Sequence, residues 1–317
     1  MEQGMNIDGT QERLRARANE LIGQMAACAD WTAARRLAQV MAELGYFPSA
    51  LQRPNRYIKS IAGPALYRAE DFELARHLET HGQVIVDEVL AAVKIGYQDF
   101  SDVEEPLVET GGQWQELVFF EAGVRSERAA RHLPATFAVL NALAPEILGA
   151  GVVMLSRIVP GTHIVAHCGE TNGRLRLHMG IKTPSDAVMR VGSESVRWQA
   201  GKCIVFDDSF EHEVWNLSDE DRIVLIVDFL HPQAPPSSVT GAGAGIQGRV
   251  AELLREAHLS GIHLEEQSGE PRLLPDAFLG AKLRRYMNEL GAQKVELDAS
   301  ERLLITKDAR GRQDVGC

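Results

Sequence analysis

The spacing of apolar residues changes at Gly151. Ahead of it they recur at the three- and four-residue intervals of helices, and after it they fall into short alternating runs. Residues 11–45, QERLRARANELIGQMAACADWTAARRLAQVMAELG, keep helical spacing with an interruption near Ala29–Asp30 and a stop at Gly45, which predicts a helical hairpin. A Pro-bearing segment follows, FPSALQRPNRYIKSIAGPALY. The spacing then predicts two more helices, over 70–98 and 128–148, the second broken or restarted at Pro134, which has no N–H to give.

From Gly151 the runs VVMLSRIV, RLRLHMGIK, AVMRV, KCIVFDD, HEVWN and RIVLIVDFL are rich in β-branched and aromatic residues and are separated by Gly, Pro, Asp, Asn and Ser. Strands this short and closely spaced imply an antiparallel sandwich or barrel. With helices before them, the simplest architecture is α+β, a jelly roll of two sheets buttressed by helices. HPQAPPSSVTGAGAGIQG reads as a linker by composition. Beyond it the pattern predicts helices around 248–259 and 277–290 and a strand pair in KVELDASERLLIT. The expected partition is an N-terminal helical segment 1–60, a central domain 61–235 with its strands in 151–232, and a linker with a small accessory module in 236–317.

Composition narrows the classes of function. Of 317 residues, 45 % are hydrophobic, ample for a sizeable core. No apolar run approaches the roughly 18 residues of a membrane span, and MEQGMNIDGTQERLRARANE lacks the layout of a secretion signal, so the expectation is a cytoplasmic protein with no membrane anchor. Cys28, Cys168, Cys203 and Cys317 form no CxxC pair, which favours free thiols over disulfides or structural zinc. A net charge of −11 without a Lys/Arg cluster argues against a nucleic-acid partner, so any positive site must be local.

Such a site is visible in VPGTHIVAHCGETNGRLRLHMGIK, residues 159–182. Alternation puts Arg174, Arg176 and His178 on one face of a strand and Leu175, Leu177 and Met179 on the other. The apolar face packs against something. The polar face either meets solvent or lines the inside of a barrel, and alternation alone allows both. Further on, CIVFDDSFEHEVWN carries His212 after an acidic turn, and Arg222 opens the apolar run RIVLIVDFL, whose next acid on the same face is Asp228. A buried arginine needs an anion, and the missing one can be a ligand.

Two imidazoles, an arginine ten residues beyond the second and Ser156 on another strand suggest an Fe(II)/2-oxoglutarate oxygenase. Such enzymes hold iron by two histidines and usually a carboxylate, leave open positions for the keto acid and dioxygen, and grip the far carboxylate of 2-oxoglutarate with an arginine. Here the carboxylate is missing, because His167 is followed by Cys168 and Gly169. The ordered blocks GTHIVAHCGETNGRLRLHMGI, GKCIVFDDSFEHEVWN and RIVLIVDFLHP resemble the aspartyl/asparaginyl β-hydroxylase family of these oxygenases over residues 151–232. The mainly helical stretch 66–150, including WQELVFFEAGVR, resembles it more loosely.

The resemblance implies a double-stranded β-helix (cupin-like) core, the cofactors Fe(II), 2-oxoglutarate and O2, and a two-histidine iron site in which a glycine replaces the acid. Carried over by position, His167 and His212 are the metal ligands, and Ser156 and Arg222 hold the distal carboxylate of 2-oxoglutarate. Arg176 and His178 lie near its chelating end, and Asp208 is the acid that orients a water on the metal. Asn172 and Gly173 are expected to shape the turn that brings Arg174 inward as the substrate's anchor. His163 is four residues from His167, about 13 Å along a strand, and is assigned to structure or to lining a substrate channel. Cys168 is expected to face away from the metal.

The activity so implied is hydroxylation of the β-carbon of an Asp or Asn residue in a peptide or protein, with release of succinate and CO2. Alternatives are a lipid acyl chain, a free or carrier-bound amino acid, and a non-catalytic cupin-like acid-binding protein. A charge count favours Asp. Arg174, Arg176 and Arg222 with a divalent metal, set against 2-oxoglutarate and Asp208, leave a surplus of about two positive charges if all three arginines point inward.

Overall fold

The computed structural model describes residues 7–96, 100–103, 107–109, 111–121, 124–143 and 151–234, and four strands beyond residue 263. The hairpin forms as expected from α1 (Ile7–Ala27) and α2 (Trp31–Glu43). Its turn passes through a left-handed Ala29 at φ 58°, and Asp30 caps α2 by accepting from the Ala33 N–H. Ala18, Ile22, Ala34, Ala38 and Phe47 form the buried seam between the two helices and the segment that follows.

The single helix expected over 70–98 is three pieces, a 3-10 turn (Ala69–Asp71), α3 (Glu73–Thr80) and α4 (Gly82–Lys94). The break has a packing reason. A Cβ on Gly82 would lie 3.0 Å from the carbonyl oxygen of Gly201, so the chain bends where another backbone comes close. In the second region α5 (Glu127–His132) ends and α6 (Pro134–Ala142) begins with Pro134 as its first residue, the restart its missing N–H dictates.

The strands are β1 (Leu66–Tyr67), β2 (Ser101–Asp102), β3 (Trp114–Glu121), β4 (Val124–Arg125), β5 (Val152–Ile158), β6 (His163–His167), β7 (Arg174–Lys182), β8 (Ala187–Val191), β9 (Glu194–Val196), β10 (Cys203–Phe206), β11 (His212–Asn216) and β12 (Arg222–Leu230). One sheet runs β1-β10-β7-β12-β5-β3-β2, with β4 on β3, and the other runs β6-β11-β8-β9. Every pairing within them is antiparallel. WQELVFFEAGVR, read as part of a mainly helical stretch, instead supplies β3 and β4, and β3 pairs with β5 along its length.

The larger sheet is buried on both faces. Leu175, Leu177 and Met179 turn outward to a core shared with α3, α4 and α6, and each is 0 % exposed. Burying side chains of this size contributes about 1.5–3 kcal/mol apiece. Met154, Val224 and Ile226 turn inward, where they meet Ile164, Met189 and Val214 of the smaller sheet. This is the expected α+β double-stranded β-helix, with helices on the outer face of one sheet. The polar face of β7 therefore lines the interior, not solvent.

Beyond it, β13 (Leu264–Gln267) pairs with β14 (Glu270–Leu273), and β15 (Ala292–Leu297) pairs with β16 (Leu303–Lys307), the second pair being the one expected in KVELDASERLLIT. The helices expected around 248–259 and 277–290, and most of the linker, lie outside the described residues. No helix among the described residues is long and apolar enough to cross a membrane. Cys28, Cys168 and Cys203 are free thiols.

Candidate active site

The two histidines meet because of an irregularity in pairing. Along β11 and β6, Trp215 faces His163, Val214 faces Ile164, and then His212 faces His167. One residue separates Val214 from His212, but two separate Ile164 from His167, so β6 carries a bulge. Straight alternation would put His167 on the face of His163. The extra residue turns it to the inner face, and the two rings stand 4.1 Å apart between centroids. His163 stays outside, stacked on Trp215 at 4.9 Å with Glu109 and Glu213 beside its nitrogens, contacts that fit a structural role.

Each ring of the pair is fixed by its Nδ1–H, which donates to the carbonyl two residues earlier: His167 to Val165 at 2.8 Å, His212 to Phe210 at 2.9 Å. In the neutral tautomer this leaves Nε2 with the lone pair, the form a metal takes. Burial, with His167 beside it, holds His212 neutral to well below the ordinary histidine value. Desolvation pushes the Cys168 thiol up to about 11, which keeps it protonated and unsuited to ligation.

Gly169 has a physical reason. A Cβ there would lie 2.4 Å from Cγ and Oδ1 of Asp208, whose carboxylate fills the space that a longer residue at 169 would need. Asp208 is 0 % exposed, and neither of its oxygens accepts a hydrogen bond. Gly169→Ala should therefore displace a buried carboxylate and destabilise the chain by about 1–3 kcal/mol, as overpacking does. A melting midpoint equal to that of the wild type would contradict this.

Behind the pair lies a pocket bordered by Ser156, Arg176, His178, Arg222, Trp114 and Ile226. Arg222 is 1 % exposed, and no carboxylate among the described residues pairs with it. Its Nη1 donates to Ser156 Oγ at 3.4 Å, its guanidinium lies 4.6 Å from the Trp198 ring, and its Nε has no partner. Burial alone brings its pKa down to about 9. Ser156 also accepts from Trp114 Nε1 at 3.0 Å, which aims the hydroxyl. His178 is buried with both ring nitrogens unpartnered. The free space there is about 30 Å³, room for a pair of waters.

At the mouth stand two arginines and two buried aspartates. Arg176 is held by Asp228 through Nε at 2.7 Å and Nη2 at 3.0 Å, and its Nη1 lies 3.3 Å from Asp208. Arg174 reaches Asp208 through Nη2 at 3.7 Å and Asp228 through Nε at 4.0 Å, too far for a hydrogen bond from that Nε. Burial alone would raise the Asp228 carboxyl, but Arg176 and Arg174 hold it below the ordinary range. The charge count omitted Asp228. Including it lowers the surplus to about one positive charge.

The neutral rings carry a pH signature. Burial, then Arg222 and Arg176, hold His178 well below 6.5, as burial does His212. Unfolded rings take up protons near 6.5 while the folded ones do not, so stability is intact above that value and falls as the pH drops through it. For the metal-free chain the two rings together should remove about 1–1.5 kcal/mol between pH 7 and 6. Below 6 Asp207, raised to about 6 by burial, acts in the opposite sense and offsets part of the loss. Denaturant titrations at the two pH values check this, and equal stabilities would contradict it.

The expected residues thus divide cleanly. The fold brings His167, His212, Ser156, Arg176, His178, Arg222 and Asp208 around one pocket and Arg174 to its mouth. Among the described residues no group of three or more His, Cys, Asp or Glu gathers as a metal set, so the imidazole pair is the candidate. Two imidazoles beside a carboxylate that accepts no hydrogen bond suit a divalent metal with open positions, and a buried guanidinium without an acid suits a dicarboxylate. Trp114, Trp198 and Asp228 were not anticipated as parts of the site.

The sequence pattern of the aspartyl/asparaginyl beta-hydroxylase family matches residues 79–232, which hold every one of these groups. Through that stretch the chain is similar to the family. The human aspartyl/asparaginyl beta-hydroxylase is 34 % identical over 198 residues, 61 % of this chain and 26 % of that one. An ornithine lipid ester-linked acyl 2-hydroxylase of Rhizobium tropici is 38 % identical over 144 residues, 44 % of this chain and 50 % of its own. The chain spans between a quarter and half the length of these family relatives. A solved prolyl-4-hydroxylase of Pseudomonas putida aligns with a TM-score of 0.31 at 13 % identity, over 50 % of this chain and 98 % of that one.

Proposed function

We propose that the chain is an Fe(II)- and 2-oxoglutarate-dependent hydroxylase acting on the β-carbon of an Asp residue, or less tightly an Asn residue, presented by a peptide or protein. The observation that carries the reading is Arg222, a buried guanidinium with no acid to answer it. Iron and 2-oxoglutarate, when bound, supply oxygen activation: dioxygen is consumed, 2-oxoglutarate leaves as succinate and CO2, and one oxygen atom enters a substrate C–H bond.

The chain's own residues bind and orient. His167 and His212 would hold the metal through Nε2, Gly169 would leave the place of a third protein ligand to water, and Asp208 beside it would accept from that water. Arg222, with Ser156 aimed by Trp114, grips the distal carboxylate. His178 stays neutral and offers a hydrogen bond near the other end of the diacid. Arg176, anchored by Asp228, contributes fixed positive charge beside it.

Arg174 is the substrate's anchor. With metal, 2-oxoglutarate and both aspartates in place, the surplus of about one positive charge is closed by one carboxylate. An Asp side chain supplies it; an Asn does not. Arg174→Ala should raise the KM for a peptide far more than that for 2-oxoglutarate. Incubation with Fe(II), 2-oxoglutarate and a peptide library, followed by fragmentation of products that gain one oxygen, identifies the target. The Rhizobium relative's name favours a second reading, acyl-chain hydroxylation. Turnover of acyl lipids with none of any Asp or Asn peptide would establish that reading and overturn the first.

A further inference from the structure

Both metal-site histidines sit at strand ends. His167 is the last residue of β6 and His212 the first of β11, so the ladder secures each on one side and a loop leads away on the other. Asp208 accepts no hydrogen bond, so apart from the Arg176 and Arg174 charges at 3.3 and 3.7 Å its orientation depends on the turn that carries it. Catalytic constellations need their groups held to about 0.5 Å. Something outside the ladder must hold these loops.

Residues 49–61, ahead of the stretch matched to the family, cross both of them. Gln52 donates through Nε2 to Ser209 Oγ at 3.0 Å and to Asp207 Oδ2 at 3.3 Å, gripping the turn on both sides of Asp208. The Arg53 N–H donates to the Ser209 carbonyl at 3.1 Å, and the Glu211 N–H to the Leu51 carbonyl at 2.7 Å. The Arg53 guanidinium, itself buried, pairs with Glu211, the residue before His212, at 2.7 Å. On the other loop the Arg56 N–H donates to the Glu170 carbonyl at 2.9 Å. Asn172, 0 % exposed, accepts from the Ile58 N–H and donates to the carbonyls of Ile58 and Ile61. The strap is fastened in turn by α1, where Asn19 donates to the Arg53 carbonyl at 2.7 Å and Arg15 to the Asn55 carbonyl at 3.4 Å.

The geometry points to residues 49–61 as a positioning strap for the metal site, with Gln52 the residue that fixes Asp208 ahead of His212 and Asn172 the latch of the loop between Gly169 and Arg174. The strap crosses the domain boundary expected at residue 60, and it gives the hairpin a task beyond packing. This rests on the metal reading above, and the test separates the two.

Mn(II) affinity of the full chain, and the visible spectrum of its Co(II) form, are measured for wild type, Gln52→Met, Gln52→Glu and His167→Ala. Gln52→Met keeps the length of the side chain and removes the donor. It should weaken Mn(II) binding about tenfold, as loss of supporting groups does at other metal sites, and alter the Co(II) bands while the circular dichroism stays that of wild type. Gln52→Glu turns a like charge on Asp207 and should weaken binding at least as much, so one folded variant of the two suffices. If His167→Ala loses Mn(II) but both folded Gln52 variants bind it as wild type does, the strap proposal is overturned and the metal reading stands. If His167→Ala also binds as wild type, both fall.

Discussion

Replacing His167 or His212 by alanine is expected to abolish hydroxylation and metal-dependent succinate release while the chain stays folded. The reason is arithmetic of ligands. The site offers two imidazoles and no third His, Cys, Asp or Glu in a ligating group among the described residues, so one substitution removes half of the protein's hold on the metal. Each Nδ1–H donates to a carbonyl only two residues away, so the ring's own anchor is local. Succinate release under Fe(II), 2-oxoglutarate and air, with circular dichroism as the control for folding, is the assay. Near-normal turnover by folded His167→Ala would remove the assignment.

Arg222 should produce two effects of opposite sign. Burial brings its pKa down to about 9, a desolvation cost of several kcal/mol that no carboxylate among the described residues offsets. Arg222→Met fills similar volume without the charge, so the metal-free protein should become more stable. Affinity for 2-oxoglutarate should fall by about 2–5 kcal/mol, a factor of roughly 30 to several thousand, because a charge-assisted pair in a dry pocket is lost. Arg222→Lys should recover only part, since an ammonium cannot match the planar fork. The measurements are a denaturant titration and the KM for 2-oxoglutarate. An unchanged KM would sink the assignment, and a less stable apo variant would show that the charge is answered within the chain.

Much of this was legible in the chain because strands declare themselves by alternation. RLRLHMGIK and RIVLIVDFL match β7 and β12 residue for residue. The two-sheet roll, the helical hairpin and the restart at Pro134 follow from period and proline chemistry in the same way. What escaped was set by approach between distant segments. The break at Gly82 comes from the backbone of Gly201, which no helical pattern contains. β6 hides because its bulge defeats the parity rule, so His167 looks as though it shares a face with His163.

Asp228 was visible as the acid on Arg222's face, but its partner is decided by register. β12 sets Asp228 opposite Arg176 on β7, six positions along from Arg222. The strap left no local signal, because the side chain of Gln52 bonds to residues 155 and 157 positions away. Trp114 and Trp198 carry no motif either, and matter through where the fold sets them against Ser156 and Arg222.

One pocket is expected to bind a divalent metal on two histidines and a dicarboxylate on a buried arginine. The decisive measurement is calorimetric titration of 2-oxoglutarate into the Mn(II)-loaded full chain. The expected result is one 2-oxoglutarate per chain, bound only when metal is present, lost in Arg222→Ala and retained in Arg174→Ala. Absence of binding, or binding indifferent to both the metal and Arg222, would contradict it.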